Sequence, residues 1–345
     1  ISVLERTIQN LEIDFRSKHG MQINYRDTKL EPEEYIIEIL QDQIIITAFD
    51  YSGRLYALIS LIHLIFCYHN KLPLGLIQDK PQFYWRGMHL DCARQFHSVT
   101  KIKRLLDYMA LFKLNRFHWH LTDNEAWRLD LKSFPSLAKQ TSFRGYHEII
   151  PPVYGTGYHR SGGYYSSTDV KEIIKYAKKL NIEIMPEIDL PAHSWALTQV
   201  MPNLHDRESN TTFQDVGNYQ NNTINPSLEA TWNFLESVLK DVAELFSYSL
   251  IHIGVDERPK NAWHGSPKLI DFMKKNKYKS YEEVQDYFVN RIIHILKNFN
   301  KRTAAWNEAA LPPHNDIGSG GGTGNIDKNC LIFAWEHTSV IEKAL

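Results

Sequence analysis

Cysteine is scarce in this sequence: Cys67, Cys92 and Cys330 are the only three in 345 residues. They are far apart and odd in number, which excludes a disulfide framework and makes buried thiols the expected form. Sixteen histidines are present, but none shows the close Cys/His spacing of a structural zinc site. Excess charge is missing as well. A formal net charge of −1 leaves no basic footprint for nucleic acid and no acidic tail for a cationic partner. The longest apolar run, Tyr56 to Tyr68, is interrupted by Ser60 and His63 and is too short to span a bilayer. No signal peptide is visible. The chain opens at Ile1 without Met, as it would after removal of an upstream segment, which leans the expected location toward the periplasm or the cell exterior. Asn210-Thr-Thr and Asn221-Asn-Thr fit the glycosylation pattern but sit in an Asn-rich stretch and are read as chance.

What is present is a hydrophobic content of 43%, enough for a large core in a soluble globular protein. Residues 1–80 read as a small, partial α+β domain. Tyr35 to Leu40 and Gln43 to Phe49 flank Gln41-Asp42 as a hairpin, and Tyr51 to His69 has apolar residues at helical spacing. Lys71-Leu-Pro through Pro81 reads as the boundary, where prolines and polar residues break the pattern.

Residues 81–345 form the second domain, in which short apolar strands alternate with longer helical stretches, the pattern of βαβ units on a parallel sheet. Strands are expected at 86–91, 116–121, 182–187, 249–254, 303–306 and 331–335, and helices at 99–112, 168–179, 228–246 and 281–299. Ser167-Thr168-Asp169 offers a helix start, with Glu172 placed as in a capping box. The glycine-rich stretch 318–324 is expected to be a flexible loop on a barrel rim. Six strands are countable, two short of an eight-stranded barrel, so the C-terminal strands would lie outside this chain.

Each expected strand ends on polar residues, beginning with Leu250-Ile-His-Ile-Gly-Val-Asp256-Glu257. The others end on His89-Leu-Asp91-Cys-Ala-Arg94, His118-Trp-His120-Leu-Thr-Asp123, Glu187-Ile-Asp189-Leu-Pro-Ala-His193, Trp306-Asn-Glu308 and Trp335-Glu336. An isolated Asp-Glu would ordinarily be a helix-capping loop. Six such ends together read as the mouth of a catalytic barrel. Indoles beside carboxylates suit a sugar, whose C–H faces pack on aromatic rings while its hydroxyls seek charged partners. Phosphate recognition would need a Gly-rich loop at a helix start or more Lys and Arg at these ends, and neither is there. A metal held by His118, His120, His193 and Glu187 is the chemical rival. Activity in excess chelator would dismiss it.

Trp85 to Arg94, Asn115 to Asp123, Pro186 to His193, His252 to Glu257 and Trp306 to Glu308 together resemble, in order, the family 20 glycoside hydrolases, the β-N-acetylhexosaminidases. The resemblance implies a (β/α)8 TIM-type barrel preceded by a small α+β domain, with no cofactor and no metal. It implies a retaining exo-hydrolase acting on glycans ending in β-linked N-acetylglucosamine or N-acetylgalactosamine. The nucleophile would be the substrate's own 2-acetamido oxygen, so one enzymic carboxylate is replaced by the substrate. Glu257 would then be the general acid and base, its pKa raised by burial and by Asp256, and Asp256 would orient the acetamido group. Asp123 and His193 would form a relay behind Glu257. Arg94 would grip the outer hydroxyls and Trp306 would wall the acetamido pocket, with His120 also at the sugar. Trp335 and Trp263 are expected near the pocket, with ordinary core packing the alternative for both.

Two departures from the family pattern bear on these expectations. Val255 stands where the family has a second glycine, and the family's later strands, which supply further sugar contacts, lie outside the chain. The alternative is therefore a truncated, inactive relic or a sugar-binding protein of the same family.

Overall fold

The computed structural model describes residues 21–69, 71–206, 208, 212–215, 217–311 and 319–335. Asn210, Thr211 and Glu336 lie outside them. The chain divides into two compact units: residues 1–88 with 99–117 and 175–183, and residues 89–98 with 118–174 and 184–345.

The first unit holds a four-stranded sheet of β1 (Gln22–Asp27), β2 (Tyr35–Ile39), β3 (Gln43–Ala48) and β4 (Gly75–Asp79), in the order β1-β3-β2-β4. The expected hairpin is present, with Ile37 opposite Ile46 and Ile39 opposite Ile44. Helix α1 (Tyr51–Cys67) follows at once, its first turn capped by Asp50, whose Oδ1 accepts from the Gly53 amide at 2.7 Å. Ile37, Ile39, Ile44 and Ile46 pack with Tyr56, Ala57, Ile59 and Leu61. Burying each such aliphatic side chain contributes about 1.5–3 kcal/mol. The sequence reading missed β4. The stretch assigned to a domain boundary pairs antiparallel with β2, and its largely exposed residues show no apolar alternation to betray an edge strand.

The six remaining long strands form one sheet: β5 (Gly87–Asp91), β6 (Arg116–His120), β7 (Glu183–Leu190), β8 (Leu250–Gly254), β9 (Arg302–Trp306) and β10 (Leu331–Phe333). Their spatial order follows the sequence order, with β5 and β10 at the edges, and the pairs β7–β8, β8–β9 and β9–β10 are parallel. Among the described residues these six strands form the expected TIM-type barrel wall. Helices α2 (Val99–Leu111), α3 (Ser167–Lys179), α4 (Glu229–Leu245) and α5 (Tyr281–Asn298) fall where the periodicity placed them. The α3 cap is one residue earlier than expected. Ser166 and Asp169 make the reciprocal box, Asp169 Oδ2 accepting from the Ser166 amide at 2.8 Å and Ser166 Oγ from the Asp169 amide at 3.2 Å.

The glycine-rich stretch also departs from expectation. Residues 319–322 are buried, and Ser319–Gly320 pairs with Arg258–Pro259. A Cβ on Gly320 would meet Arg258 Nη2 at 2.3 Å, and one on Gly322 would meet the Ala309 carbonyl at 2.4 Å. The glycines here serve close packing against the residue that follows Glu257, not flexibility.

Candidate active site

Side chains alternate along a strand with a period of two. His118 and His120 of β6, Glu187 and Asp189 of β7, and His252 of β8 therefore share one face, with Glu187 directly opposite His252 in the β7–β8 pairing. All five are buried. The ends of these strands and the loops beyond them bring together the polar residues singled out in the sequence.

Asp123 sits in a two-residue ribbon, Thr122–Asp123 against Ala126–Trp127. Its Oδ2 lies 2.6 Å from Arg94 Nη1 and 2.8 Å from His120 Nε2, and its Oδ1 lies 3.0 Å from His193 Nδ1. The other imidazole nitrogen, His193 Nε2, faces Glu257 Oε2 at 3.5 Å and Asp256 Oδ2 at 3.6 Å. Burial alone would push the His193 pKa down, but Asp123, Asp189 and Asp256 outweigh it and hold the imidazole well above its ordinary value. Burial would likewise raise Asp123, yet His193 and Arg94 keep it far below the carboxylate range. Arg94 is further anchored by Asp91 at 3.1 Å and by Glu125 at 3.0 Å.

The expectation for the Glu257 pKa is overturned. The charged His193 facing it at 3.5 Å lowers it, outweighing partial burial. Asp256 is the raised member of the pair, through burial and the nearby Glu187. Asp189 is raised well above its ordinary value, by burial and by Asp256. The backbone that presents the pair is unusual: Gly254, Val255 and Glu257 have φ of 67°, 77° and 46°. A Cβ on Gly254 would lie 1.7 Å from Asp189 Oδ1, which only glycine avoids.

Glu187 is the hub of the buried face. Its Oε1 accepts from Trp306 Nε1 at 2.9 Å and lies 3.1 Å from His252 Nδ1, while its Oε2 lies 2.8 Å from both His118 Nε2 and His120 Nδ1. Burial would raise this carboxyl, but His120, His252 and His118 drive it well below the usual range. Trp335 donates through Nε1 to both Glu308 oxygens at 3.0 and 3.1 Å. A cavity of about 260 Å³ is lined by His89, Arg94, His120, Asp256, Glu257, Trp306 and Trp335.

Trp263 is elsewhere. It packs with Phe213, Ala262, Leu269 and Val284 and donates to the Ile224 carbonyl at 2.9 Å, so it is core and not pocket wall. The four residues weighed as a metal site do not converge. Among the described residues, no group with donor atoms within 4.8 Å of one another joins His193 to His118 or His120. The 2.8 Å approach of His120 Nδ1 to Glu187 is that of ion pairing. Sequence reasoning passed over Glu125, weighed Glu187 only as a metal ligand and counted Asp189 only among the polar residues of a strand end. Only the period of two along β7 could have put Glu187 and Asp189 on the inward face.

The family profile described as "Glycosyl hydrolase family 20, catalytic domain" matches residues 83–345. The chain belongs to glycosyl hydrolase family 20. A β-hexosaminidase of Vibrio furnissii is 35% identical over 309 residues, covering 89% of this chain and 49% of that protein. N,N'-diacetylchitobiase of Vibrio harveyi is 35% identical over 256 residues, 65% of this chain and 29% of that protein. The crystal structure of a GH20 exo-β-N-acetylglucosaminidase from Vibrio harveyi, in complex with N-acetylglucosamine, superposes with a TM-score of 0.87 at 32% identity, over 98% of this chain and 52% of that one. The chain thus spans about half the length of its first-ranked curated relative. The resemblance drawn from the strand-end motifs is borne out. No helix among the described residues is long and apolar enough to cross a membrane.

Proposed function

We propose that the chain carries the catalytic centre of a retaining exo-β-N-acetylhexosaminidase acting on non-reducing terminal β-linked N-acetylglucosamine or N-acetylgalactosamine. The observation that carries the reading is the line Asp123–His193–Glu257, with Asp256 beside it, opening into a cavity that Trp306, Trp335 and Arg94 also line. The names of the similar proteins, hexosaminidase and chitobiase, support the substrate class.

The 2-acetamido carbonyl oxygen of the substrate attacks the anomeric carbon as the glycosidic C–O bond breaks, and Glu257 gives its proton to the departing oxygen. A cyclic oxazolinium results. Water then adds to the anomeric carbon, Glu257 takes up a proton, and the ring C–O bond returns its electrons to the acetamide, so configuration is retained. Asp256 accepts from the acetamido N–H and offsets the positive charge that develops there. Arg94, held rigid by three carboxylates, presents its remaining N–H groups to the outer hydroxyls. Trp306 and Trp335 offer indole faces to the sugar, and His120 borders it.

The lowered pKa of Glu257 fits this chemistry if His193 stores the proton in the resting state and passes it to Glu257 on binding. Sugar binding without turnover is the second reading, favoured by a resting Glu257 held in its anionic form. Glu257→Gln separates the two. Turnover of a substrate with a poor leaving group should fall about 10²- to 10⁴-fold with folding intact, whereas wild-type turnover in the variant would remove Glu257 from the mechanism.

A further inference from the structure

We propose that Glu187 is a positioning residue for this reaction, acting along two arms: through His120 on the Asp123–His193–Glu257 line, and through Trp306 on the wall of the sugar pocket. The inference rests on the hexosaminidase reading and extends it to a buried carboxylate on the strand next to the one that presents the acid.

The geometry of the first arm is continuous. Glu187 Oε2 and Asp123 Oδ2 each lie 2.8 Å from opposite nitrogens of the same His120 ring. Both nitrogens are therefore engaged, and with the ring buried His120 bridges two anions. Both carboxylates are wholly buried, so water cannot screen either contact and the charge on the ring governs what Asp123 exerts on His193. The second arm is the hydrogen bond from Trp306 Nε1 to Glu187 Oε1 at 2.9 Å, which fixes the indole plane.

The groups facing each member decide which imidazole carries the charge. Glu187 is met by His118 and His120 of β6, by His252 of β8 and, at 3.5 Å, by His89 of β5. Burial pushes His118 down to about 3, leaving it neutral. For His120 burial acts in the same sense, but the carboxylates of Glu187 and Asp123 prevail and hold it well above its ordinary value. Asp123 thus answers to three cations: Arg94, His120 and His193. Removing the charge on His120 leaves Asp123 with two, which strengthens its hold on the His193 proton. A more firmly protonated His193, which also faces Asp189 and Asp256, depresses Glu257 further.

Glu187→Gln keeps an oxygen for Trp306 and removes the charge, and His120→Gln removes the cation directly. Both should lower kcat/KM about ten- to hundredfold for an aryl N-acetyl-β-glucosaminide with a poor leaving group. The basic limb of the pH profile, which reports loss of the proton stored on His193, should move to higher pH. A 2,4-dinitrophenyl leaving group, which needs little protonation, should lose much less. Glu187→Ala, which abandons Trp306 as well, should raise KM in addition.

Imidazole NMR titration provides a readout independent of turnover. The His120 resonance, assigned by its loss in His120→Gln, should titrate at lower pH in Glu187→Gln than in the wild type, because the larger of the two carboxylate contributions that raise it is gone. An unmoved His120 titration, an unmoved basic limb, or equal losses on both leaving groups would overturn the proposal. An inactive wild-type chain whose His120 titrates as described would overturn the hexosaminidase reading, and the positioning role with it, while leaving the Glu187–His120–Asp123 charge coupling in place.

Discussion

Gly254→Ala tests how tightly the carboxylate turn is fitted to the strand beside it. The added Cβ would lie 1.7 Å from Asp189 Oδ1, 2.5 Å from its Cγ and 2.9 Å from its Cα. The first contact falls short of ordinary van der Waals separation by about 1.7 Å, and the last involves backbone, so a side-chain rotation cannot relieve it. The φ of 67° adds about 1–2 kcal/mol for a non-glycine residue, and overpacking a buried site typically adds about 1–3 kcal/mol. A loss of about 2–5 kcal/mol follows. If the chain still folds, Asp256 and Glu257 move with the turn, and a shift of about 1 Å at a reacting group costs on the order of a hundredfold in rate. Denaturant unfolding and turnover of an aryl N-acetyl-β-glucosaminide measure the two effects. Gly155→Ala is the matched control, with φ of 72° and nothing within 4 Å of the new Cβ, so it isolates backbone strain alone. Gly254→Ala proving no worse than Gly155→Ala in either assay would refute the close-packing argument.

Other perturbations follow from the same geometry. Val255 is fully buried with φ of 77°. Val255→Gly therefore gives up about 1.5–3 kcal/mol of burial and recovers about 1–3 kcal/mol of strain, so the net change in unfolding free energy lies between a gain of about 1.5 and a loss of about 2 kcal/mol. A loss of about 3 kcal/mol would show the backbone to be unstrained. The Asp189 carboxyl is raised by burial and by Asp256. Its contribution to stability is therefore full below the ordinary carboxyl value of about 4 and is lost as pH rises toward the raised native value. Melting temperatures of Asp189→Asn and wild type should diverge in the variant's favour as pH rises above the ordinary carboxyl value of about 4, and a constant or narrowing gap would contradict the assignment.

The long elements were readable because each carries its own signal. Ile37, Ile39, Ile44 and Ile46 alternate, and α4 and α5 keep their apolar residues at helical spacing. Strand ends were readable for a different reason. Asp256 after Ile251, Ile253 and Val255 breaks an apolar run where charge is expensive to bury. What stayed hidden depends on partners distant in sequence. Gly320 reads as flexible until Arg258 is placed against it, and Trp263 reads as a pocket indole until Phe213 and Leu269 surround it. The Glu257 pKa was misjudged because proximity of Asp256 in sequence was weighed and the contact with His193, sixty-four positions away, was not. Glu187 was visible as one of several acids on β7. Its place between His120 and Trp306 follows from a register that joins strands β6, β7 and β9.

The central claim is that the substrate's own acetamido group supplies the nucleophile to a site built from Asp123, His193, Asp256 and Glu257. Its most direct test is hydrolysis by the 345-residue chain of an aryl N-acetyl-β-glucosaminide beside the matching aryl β-glucoside, which lacks the acetamido group. Turnover of the first and not the second is the predicted result, with Asp256→Asn reducing it. Equal turnover of both, or turnover of the glucoside alone, would contradict the account.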